Sequence, residues 1–500
     1  MKRYILSLIA FIISQYSFAT VWQVGSTQTY TMPSQINNLV EDGDTIYIDG
    51  GIYANDATKW NNRNLKLIGL GTGANRTILQ YNGNIPNGKG IFVFETPGAS
   101  DNPYLENIVF VGAQVSDANG ANGAGIRYQA NNLTVNNCKF MNCQNGILEG
   151  HGSVTTSNVI ITNSEFENNG YQLQNDPTYS GYEHHIYISA STDTLLVQNC
   201  YFHHPRGQAN SLKTRAQRSY ILYNLIDEEA TGYGSWEINI AQGGLNILIG
   251  NIIIQGSAGA NHGIIGYDAA TNPLEDFYFV NNTVINQYAG NIKYFNTVPA
   301  SGINTFKIYN NIFASVTGAS NTMFGSNTPS VLDTSNNIDA LNYLTLGFTD
   351  TVIHDYTLSA VATAAIDQGT NAGITNTSYS LIPVNMYQSF SSALLPRTVI
   401  DGAMDIGAYE YVAPAGIAQN KLFTDNSIYP NPATTEINIL FHSANNFTIE
   451  IINALGKTVS RTQNQNKIDI SQLSEGFYFL IVKTDNISYS GKFIKVDSNR

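Results

Sequence analysis

One asparagine-centred phrase recurs along the first two thirds of the 500-residue chain and limits the folds that the sequence can adopt. Its copies read LENIVF, TVNNCKF, IITNSEF, LVQNCYF, ILYNLI, LIGNIII, FVNNTVI and IYNNIF, and successive copies are 25 to 36 residues apart. Self-similarity at a period of about 20 to 50 residues is typical of units that stack on one another. Aligning the copies places the following asparagines in one column: Asn107, Asn137, Asn163, Asn199, Asn224, Asn251, Asn282 and Asn311.

Each copy has the pattern of a β-strand. Its β-branched and aromatic residues alternate with polar ones and are bounded by Gly, Asn, Asp and Ser, so the repeating unit is a coil of strands. An Asn at the same bend of every coil can bond its side-chain amide to the Asn of the coils above and below. We therefore predict an all-β fold, a right-handed parallel β-helix, in which the Asn column forms a stacked ladder.

The remaining composition indicates an exported globular protein. The chain is 43% hydrophobic and only 12% charged, which excludes a disordered polymer. Lys2 and Arg3, an apolar run over 4–13 and a small-residue site ending at Ala19 predict a signal peptide over residues 1–19. No later run of apolar residues is long enough to span a membrane. We expect a monomer with no nucleic-acid partner, and we expect its three cysteines to be buried thiols.

Residues 20–411 are predicted to form the β-helix with a cap at each end. Without a cap, the first or last coil would expose unpaired backbone N–H and C=O groups that could pair with another chain. The N-terminal phrases GDTIYIDGGIY and NLKLIGLGTG resemble the first coils of secreted β-helix proteins of the pectate-lyase-like class. The phrases DYTLS, AAIDQG and DIGAYEY, between 355 and 411, resemble the C-terminal closure of such proteins. In that closure we interpret Asp367, Asp401 and Asp405 as turn carboxylates.

A second pattern follows a linker over residues 412–424. Residues 425–500 contain IYPNPATTEINI, IEIINALGKTV, IDISQLSEGFYFLIV and GKFIKV, which alternate as the strands of a small β-sandwich do. In their order and spacing these phrases resemble the C-terminal sorting domain of the type IX secretion system. The resemblance implies that the secretion machinery is a partner, and that the protein is secreted or placed on the cell surface.

The central coils carry an unusual distribution of charge. Between Thr194 and Ile226 the sequence has no Asp or Glu, although the formal net charge of the chain is −13. Such a local basic field predicts an anionic ligand, and the alternative is a solvated patch that balances the acidic surface. The basic side chains of this stretch are His203, His204, Arg206, Lys213, Arg215 and Arg218.

The strands that precede the Asn column offer a candidate site. Their copies read HHIYIS, SLKTRA, WEINIA and HGIIGY. If Ile186, Leu212 and Ile238 face the core, strand alternation turns a set of polar residues outward. One row of that set is Tyr187, Lys213 and Asn239, a second row is His185, Ser211 and Glu237, and Arg215 lies beside them. We expect a long cleft suited to an extended polymer, with substrate also contacted by His203, His204, Arg206, Asn239 and His262.

Three chemistries compete for this cleft. Lytic cleavage of a uronate polysaccharide needs a cation on the carboxylate, a base and an acid, and the candidates are His185, Tyr187, Lys213, Arg215 and Glu237. A hydrolase needs two carboxylates about 5 to 9.5 Å apart, for which Glu237 and Glu149 are the candidates. Glu237 is alternatively a partner that orients Lys213. Zinc would need paired histidines to converge, whereas neighbouring strand residues face opposite sides. We expect no cofactor, and calcium is left open although no acidic cluster supports it.

The central region, about 148–292, resembles the β-helix polysaccharide lyases such as chondroitinase B and related alginate lyases, in the phrases N-S-L-K-x-R and N-x-x-x-Q-G. The resemblance implies that Lys213 is the base. In that family the arginine lies one coil after the lysine, where this chain has the letters WEI (236–238). The carboxylates that bind calcium in that family precede the lysine, where this chain has NS (210–211). Arg215 is therefore the candidate substitute for the arginine, and alternation favours a core position for Trp236.

These observations together predict an exported carbohydrate-active protein that binds an acidic polysaccharide and cleaves it by β-elimination. Two alternatives remain open at this point. One is a non-catalytic surface β-helix that binds glycans or mediates adhesion, and the other is a glycoside hydrolase on the same fold. A shared β-helix architecture does not decide between them.

Overall fold

A computed structural model describes most of the chain. The described residues are 19–95, 102–150, 156–170, 181–261, 263–268, 270–316, 318–325, 327–399, 402–412, 419–422, 428–440, 447–454, 456–483 and 487–497. The predicted signal peptide, apart from its last residue, lies outside them, as do His262 and Asp401. Within the described part, no helix is long and apolar enough to cross a membrane.

The chain divides between Tyr411 and Val412 into two units. The first unit is a parallel β-helix, as predicted. Each complete coil contributes one strand to each of three parallel sheets, which contain 12, 11 and 10 strands in the described residues. Short 3-10 helices occur at Pro33–Gln35, Gly73–Asn75, Asp117–Asn119 and Tyr343–Thr345.

The three sheets are numbered in the order in which a coil passes through them. Sheet 1 consists of Val21–Val24, Thr45–Ile48, Lys66–Gly69, Tyr104–Glu106, Leu133–Asn136, Thr156–Thr162, Thr192–Gln198, Arg218–Leu222, Leu245–Ile249, Asp276–Val280, Thr305–Tyr309 and Leu332–Ser335. Sheet 2 consists of Gly51–Ala54, Thr77–Gln80, Ile108–Val111, Lys139–Met141, Glu165–Glu167, Tyr201–His203, Leu225–Asp227, Ile252–Gln255, Thr283–Asn286, Ile312–Ser315 and Ile338–Ala340. Sheet 3 consists of Thr58–Trp60, Gly90–Glu95, Ala124–Gln129, Asn145–Glu149, His184–Ile188, Asn210–Thr214, Ile238–Ile240, Gly263–Tyr267, Ile292–Asn296 and Asn321–Phe324.

The interior is filled by columns of like side chains, because equivalent positions of successive coils are about 4.8 Å apart. Phe110, Phe140, Phe166 and Phe202 stack with ring centroids 5.0, 4.9 and 4.8 Å apart and nearly parallel planes. The three cysteines are free and buried in the same interior. Burial raises the pKa of the Cys143 thiol to about 11, so it stays protonated and inert at neutral pH.

The Asn column exists, but the structure resolves it into two neighbouring columns. Asn107, Asn137, Asn163 and Asn199 occupy the bend before sheet 2 with φ between 50° and 57°, in the left-handed region that Asn tolerates better than most residues. The pairing of Gln198 with Leu222 puts Tyr223, and not Asn224, opposite Asn199. Our single column is therefore wrong by one residue after Asn199. Copies that carry two consecutive asparagines permit either alignment.

The second column is a continuous ladder inside the last coils. The Nδ2 group of each Asn donates to the Oδ1 atom of the next, at distances of 2.9, 2.9, 3.1 and 2.9 Å. The members are Asn224, Asn251, Asn282, Asn311 and Asn337. Because these amides are satisfied within the ladder, polar groups can occupy the buried bend without loss of hydrogen bonds.

The segment over 341–411 does more than close the last coil. It contains two antiparallel pairs, Phe348–Asp350 with Asp355–Leu358 and Asn385–Met386 with Leu395–Pro396. Its apolar side chains pack against outward-facing residues of sheet 2, such as Ile254, and of sheet 1, such as Tyr278. The buried Arg397 guanidinium holds the segment together through Glu410, with an Nε–oxygen distance of 2.9 Å.

The second unit is a β-sandwich, as predicted. One sheet contains Gln419–Leu422, Thr448–Asn453, Thr458–Gln463, Gly476–Lys483 and Ile487–Lys495, and the other contains Ile428–Tyr429, Glu436–Ile439 and Lys467–Asp469. Side chains from both sheets share one core, including Ile437 and Leu480. Because Gln419–Leu422 pairs with Ile487–Lys495, part of the predicted linker is a strand of this unit.

Candidate functional site

The candidate site lies on the outer face of sheet 3, where its central strands present polar side chains in rows. The predicted row of Tyr187, Lys213 and Asn239 is present, because these residues pair across three successive strands. The row continues to Gly266 on the next strand and, in the other direction, through Leu148 to Arg127. Arg215 follows Lys213 on the same face. All of these residues are therefore within reach of one bound polymer.

Three cations surround one aromatic ring at the centre of this face. The Nζ atom of Lys213 lies 5.6 Å from the centroid of the Tyr187 ring, and the guanidinium carbon of Arg215 lies 5.9 Å from it. Arg127 is near enough for an electrostatic interaction with Tyr187. We call Arg127, Lys213 and Arg215, grouped about Tyr187, the cation cluster.

No carboxylate in the described part of the chain forms an ion pair with the cation cluster. None of the ion pairs found there includes Arg127, Lys213 or Arg215. The Nε groups of Arg127 and Arg215 are buried and have no hydrogen-bond partner. Since buried polar groups are almost always paired, these donors are suited to an anionic ligand.

The surroundings of Lys213 favour its neutral amine. Burial lowers the pKa of Lys213, the neighbouring Arg215 lowers it further, and only Asp268 opposes the shift. Asp268 is held at the edge of the site by Asn239 Nδ2 and Thr297 Oγ1, at 2.9 and 2.7 Å from its carboxylate oxygens. A lysine with a lowered pKa is better suited than an ordinary lysine to accept a proton from a substrate.

His184, and not His185, borders the cation cluster. Its Nδ1 atom accepts a hydrogen bond from the Asn210 backbone N–H at 3.2 Å, and its ring centroid lies 5.6 Å from that of Tyr187. Burial, followed by Lys213 and other neighbouring basic groups, holds the pKa of His184 well below its ordinary value. The ring is neutral at physiological pH, and its Nε2–H is a donor.

The predicted outward orientation of His185, Ser211 and Glu237 is wrong. His185 is fully buried between the rings of Phe166 and Phe202, at centroid distances of 6.4 and 6.2 Å, and its Nδ1 atom accepts from Asn169 at 2.9 Å. Ser211 and Glu237 occupy the same position of the next two coils and are also buried. At this corner two consecutive residues face the core, so strict alternation fails there. A polymer on the outer face cannot contact these side chains.

Glu237 forms part of a buried acid pair with Glu228. Burial raises the pKa of Glu237 well above its ordinary value, and the nearby Glu228 carboxyl raises it further. Glu228 accepts hydrogen bonds from the backbone N–H groups of Gly234 and Gly256, at 2.5 and 2.9 Å. Glu237 therefore does not orient Lys213 as an ion-pair partner, and burial favours the protonated form of both carboxyl groups.

Trp236 lies on the outer face, contrary to the core position that alternation favoured. A Cβ atom added to Gly263 would lie 2.7 Å from Cζ3 of Trp236, and one added to Gly266 would lie 3.2 Å from Cδ2. The indole therefore rests on the outer surface of the strand Gly263–Tyr267, where two glycines leave room for it. It is half-buried, one coil beyond Lys213.

The other predicted basic residues do not join this face. His203 lies on sheet 2, where its two ring nitrogens are each 3.1 Å from a carboxylate oxygen, of Glu165 and of Glu229. His204 Nδ1 is 3.3 Å from Glu229, and Arg218 is paired with Asp193. Arg206 is directed to the backbone carbonyl of Gly170 at 3.4 Å. The acid-free stretch of sequence is thus not an acid-free surface, because its histidines meet carboxylates from other coils.

The ion pairs of His203 with Glu165 and Glu229 make a testable contribution to stability. Burial disfavours the charged imidazole, but Glu165 and Glu229 outweigh burial and raise the pKa of His203 to about 9. Because the unfolded value is about 6.5, this stabilisation is complete below about pH 6.5 and is lost as the pH rises through about 9. We expect His203→Gln to reduce the free energy of unfolding by on the order of 2 kcal/mol at pH 6.

The His203→Gln effect should be smaller at pH 10, and urea unfolding at both pH values measures it. His204→Gln is the matched control, since His204 is more exposed and contacts one carboxylate rather than two. An equal loss of stability for His203→Gln at both pH values would contradict the ionic origin of this contribution.

One group in the described residues has the composition of a metal site. Ligand atoms of Glu165, Glu167 and His203 lie within 4.8 Å of one another. The Nζ atom of Lys139 is 3.0 Å from Glu165 and 2.5 Å from Glu167, so a cation already neutralises these carboxylates. The group also lies on sheet 2, away from the cation cluster. The expectation of a metal-free reaction remains a prediction.

Sequence reasoning missed Arg127 and His184. Arg127 stands in the phrase GIRYQA, whose Ile126 and Tyr128 are buried, so extending the strand alignment two coils towards the N-terminus would have found it. His184 was missed because the alternation was carried through the corner. The glycines at 125 and 146, which precede buried isoleucines at the equivalent position, are a sequence signal for that corner.

Comparison with known proteins identifies the second unit. Residues 427–496 match the family described as the secretion system C-terminal sorting domain. No curated protein matches the chain. Among solved structures, pectate lyase Pel9A is similar at 15% identity and a TM-score of 0.46, with 79% of this chain and 97% of that chain covered. A PL6 family alginate lyase, AlyGC, is similar at 12% identity and a TM-score of 0.29, with 65% of this chain and 40% of that chain covered.

The sorting domain establishes the destination of the protein. It is the C-terminal signal of the type IX secretion system, so the protein engages that machinery and is exported to the cell surface or beyond. Any substrate of the cation cluster must therefore be present outside the cell.

Proposed function

We propose that the outer face of sheet 3 binds an acidic polysaccharide and cleaves it by β-elimination at a uronate residue. The observation that carries this proposal is the cation cluster, which has no carboxylate partner and includes a lysine of lowered pKa. A uronate carboxylate over Tyr187 would supply the missing negative charge. The stacked strands of sheet 3 give the cluster the elongated surface that a polymer requires.

Each step of the proposed elimination can be assigned to a group of this face. Arg127 and Arg215 bind the uronate carboxylate, which makes the proton at C5 more acidic. The Lys213 amine removes that proton, the electron pair forms a double bond between C4 and C5, and the bond from C4 to the glycosidic oxygen breaks. The Tyr187 hydroxyl then protonates the leaving oxygen. No metal is needed for this sequence.

The hydrolase alternative has little support from the same residues. Glu237 is buried in the interior, and Glu149 is also buried, with one oxygen accepting hydrogen bonds from the Ser189 N–H at 2.8 Å and the Thr192 Oγ1 at 2.7 Å. Neither carboxylate of the predicted pair is thus available to flank a glycosidic bond.

A uronate screen tests the reaction class directly. We expect incubation with alginate, polygalacturonate, chondroitin, hyaluronan and glucuronan to produce the ultraviolet absorbance of an unsaturated uronate from at least one of them. New reducing ends without that absorbance would indicate a hydrolase. Binding without any cleavage would favour the non-catalytic surface β-helix.

The pH dependence of the reaction should depend on the neighbours of Lys213. The rate is expected to rise with pH as the Lys213 amine loses its proton. Removing Arg215 removes a positive charge that lowers the pKa of Lys213, so Arg215→Gln should move the acidic limb of kcat/KM to higher pH. Removing the opposing charge with Asp268→Asn should move the limb to lower pH, by less, because Asp268 is exposed.

The pair of substitutions is its own control, because a nonspecific disturbance of the site would not shift the limb in opposite directions. The measurement is kcat/KM for the best polymer of the screen at several pH values. Shifts of the same sign in both variants would rule out Lys213 as the group that titrates.

A further inference from the structure

The Trp236 indole forms a platform next to the cation cluster, on the side of the later coils. One face of the ring covers Gly263 and Gly266, and part of the residue stays accessible to solvent. Flat aromatic surfaces of this kind pack against the apolar faces of flat ligand rings. The platform is one coil from Lys213, and a chain bound along sheet 3 would pass from the cluster onto it.

The polar groups at this platform differ from those of the cation cluster. Asn239 is buried beside the ring, and its Oδ1 atom has no hydrogen-bond partner. Its Nδ2 group is bonded to the Asp268 carboxylate. Asp268 thus brings a negative charge next to the platform, on the side away from Lys213. Lys293, opposite Gly263 on the following strand, is exposed to water, where screening weakens its field.

A sugar at this platform therefore meets an aromatic ring, a free amide oxygen and a carboxylate. A neutral sugar gains stacking and can donate a hydroxyl to Asn239 Oδ1. A uronate would bring its carboxylate towards Asp268, and like charges at short range disfavour binding. The two neighbouring positions of the site thus have opposite preferences, anionic at the cation cluster and neutral at Trp236.

We propose that Trp236 is the stacking platform of a subsite for a neutral sugar, so that the substrate is a polysaccharide in which uronates and neutral sugars alternate. This inference rests on the proposed lyase function and narrows its substrate class. Polymers of uronate alone would place an unfavourable carboxylate at the platform in every register.

Two measurements test the platform. First, kcat/KM for hyaluronan and unsulfated chondroitin should exceed that for polygalacturonate, alginate and glucuronan by at least about tenfold. Second, Trp236→Ala should raise KM for the alternating polymer about tenfold with little change in kcat, while Trp236→Phe should retain part of the stacking. Lys66→Ala, at an exposed position of sheet 1, is the unaffected control.

Tryptophan fluorescence supplies a readout that does not depend on turnover. The chain has three tryptophans, and Trp60 is fully buried. In the Lys213→Arg background, hyaluronan should change the emission of the protein, and the change should disappear when Trp236→Phe is added. Trp22, on sheet 1, should report nothing.

The outcomes separate the two proposals. An unsaturated product from uronate homopolymers, at rates equal to those for alternating polymers, would overturn the neutral subsite and leave the lyase function standing. An unchanged KM in Trp236→Ala would do the same. Absence of an unsaturated product from every polymer would reject the lyase function, and the neutral subsite with it.

Discussion

Lys213→Ala is expected to reduce the formation of unsaturated uronate by about 10²- to 10⁴-fold, the usual contribution of a positioned general base. The reason is that burial and the neighbouring Arg215 lower the pKa of Lys213, so its amine gives up a proton more readily than that of an ordinary exposed lysine. Arginine side chains stay protonated in proteins, so Arg127 and Arg215 cannot replace it.

Lys213→Arg separates the two roles of the lysine. An arginine keeps the positive charge that attracts the polymer but cannot accept the C5 proton at ordinary pH. We therefore expect Lys213→Arg to bind the polymer with little change in affinity and to be nearly as inactive as Lys213→Ala. Lys66→Ala serves as the matched control, because Lys66 is an exposed strand lysine on sheet 1.

The measurements are initial rates by ultraviolet absorbance and polymer affinity by calorimetry, with circular dichroism to verify the fold. Full activity of Lys213→Arg would show that only charge is needed at this position and would exclude Lys213 as the base. Inactivity of the unsubstituted protein on all polymers, with intact binding, would leave the surface glycan-binding alternative.

The sequence predicted the part of the site in which simple strand alternation holds. Beyond the corner of sheet 3, Ile186 and Ile188 face the core and Tyr187 faces outward, so Tyr187, Lys213 and Asn239 were placed in the correct row. The alternation of inward and outward side chains along a strand does not predict how side chains are oriented at the corner itself. There the backbone turns so that His185 and Ile186 both face inward, and the period of two is interrupted.

Contacts between distant parts of the chain also escaped prediction. His203 was interpreted as part of a basic field because its neighbours in sequence lack acids, yet Glu165 and Glu229 reach it from the adjacent coils. The segment over 341–411 covers outward residues of sheets 1 and 2, which no local pattern indicates. In a solenoid, side chains about 25 to 36 residues apart in sequence become nearest neighbours, so charge along the sequence is a poor guide to charge on a surface.

The Asn ladder leads to the second large expected effect, on stability. Asn251 is fully buried, and its side chain makes four hydrogen bonds with the coils on either side. Its Oδ1 atom accepts from the backbone N–H and the Nδ2 group of Asn224, at 3.0 and 2.9 Å. Its Nδ2 group donates to the carbonyl of Ile221 and to Oδ1 of Asn282, at 2.8 and 2.9 Å.

Asn251→Ala should therefore lower the free energy of unfolding by on the order of 3 to 5 kcal/mol, because it removes all four of these buried hydrogen bonds. Asn337→Ala is the matched control at the end of the same ladder. Asn337 is only partly buried, so water can replace its bonds and the loss should be much smaller. Guanidinium unfolding followed by circular dichroism measures both. Equal losses for the two variants would mean that burial in the ladder does not determine the loss in free energy of unfolding. The asparagines would then contribute only through the geometry of the bend.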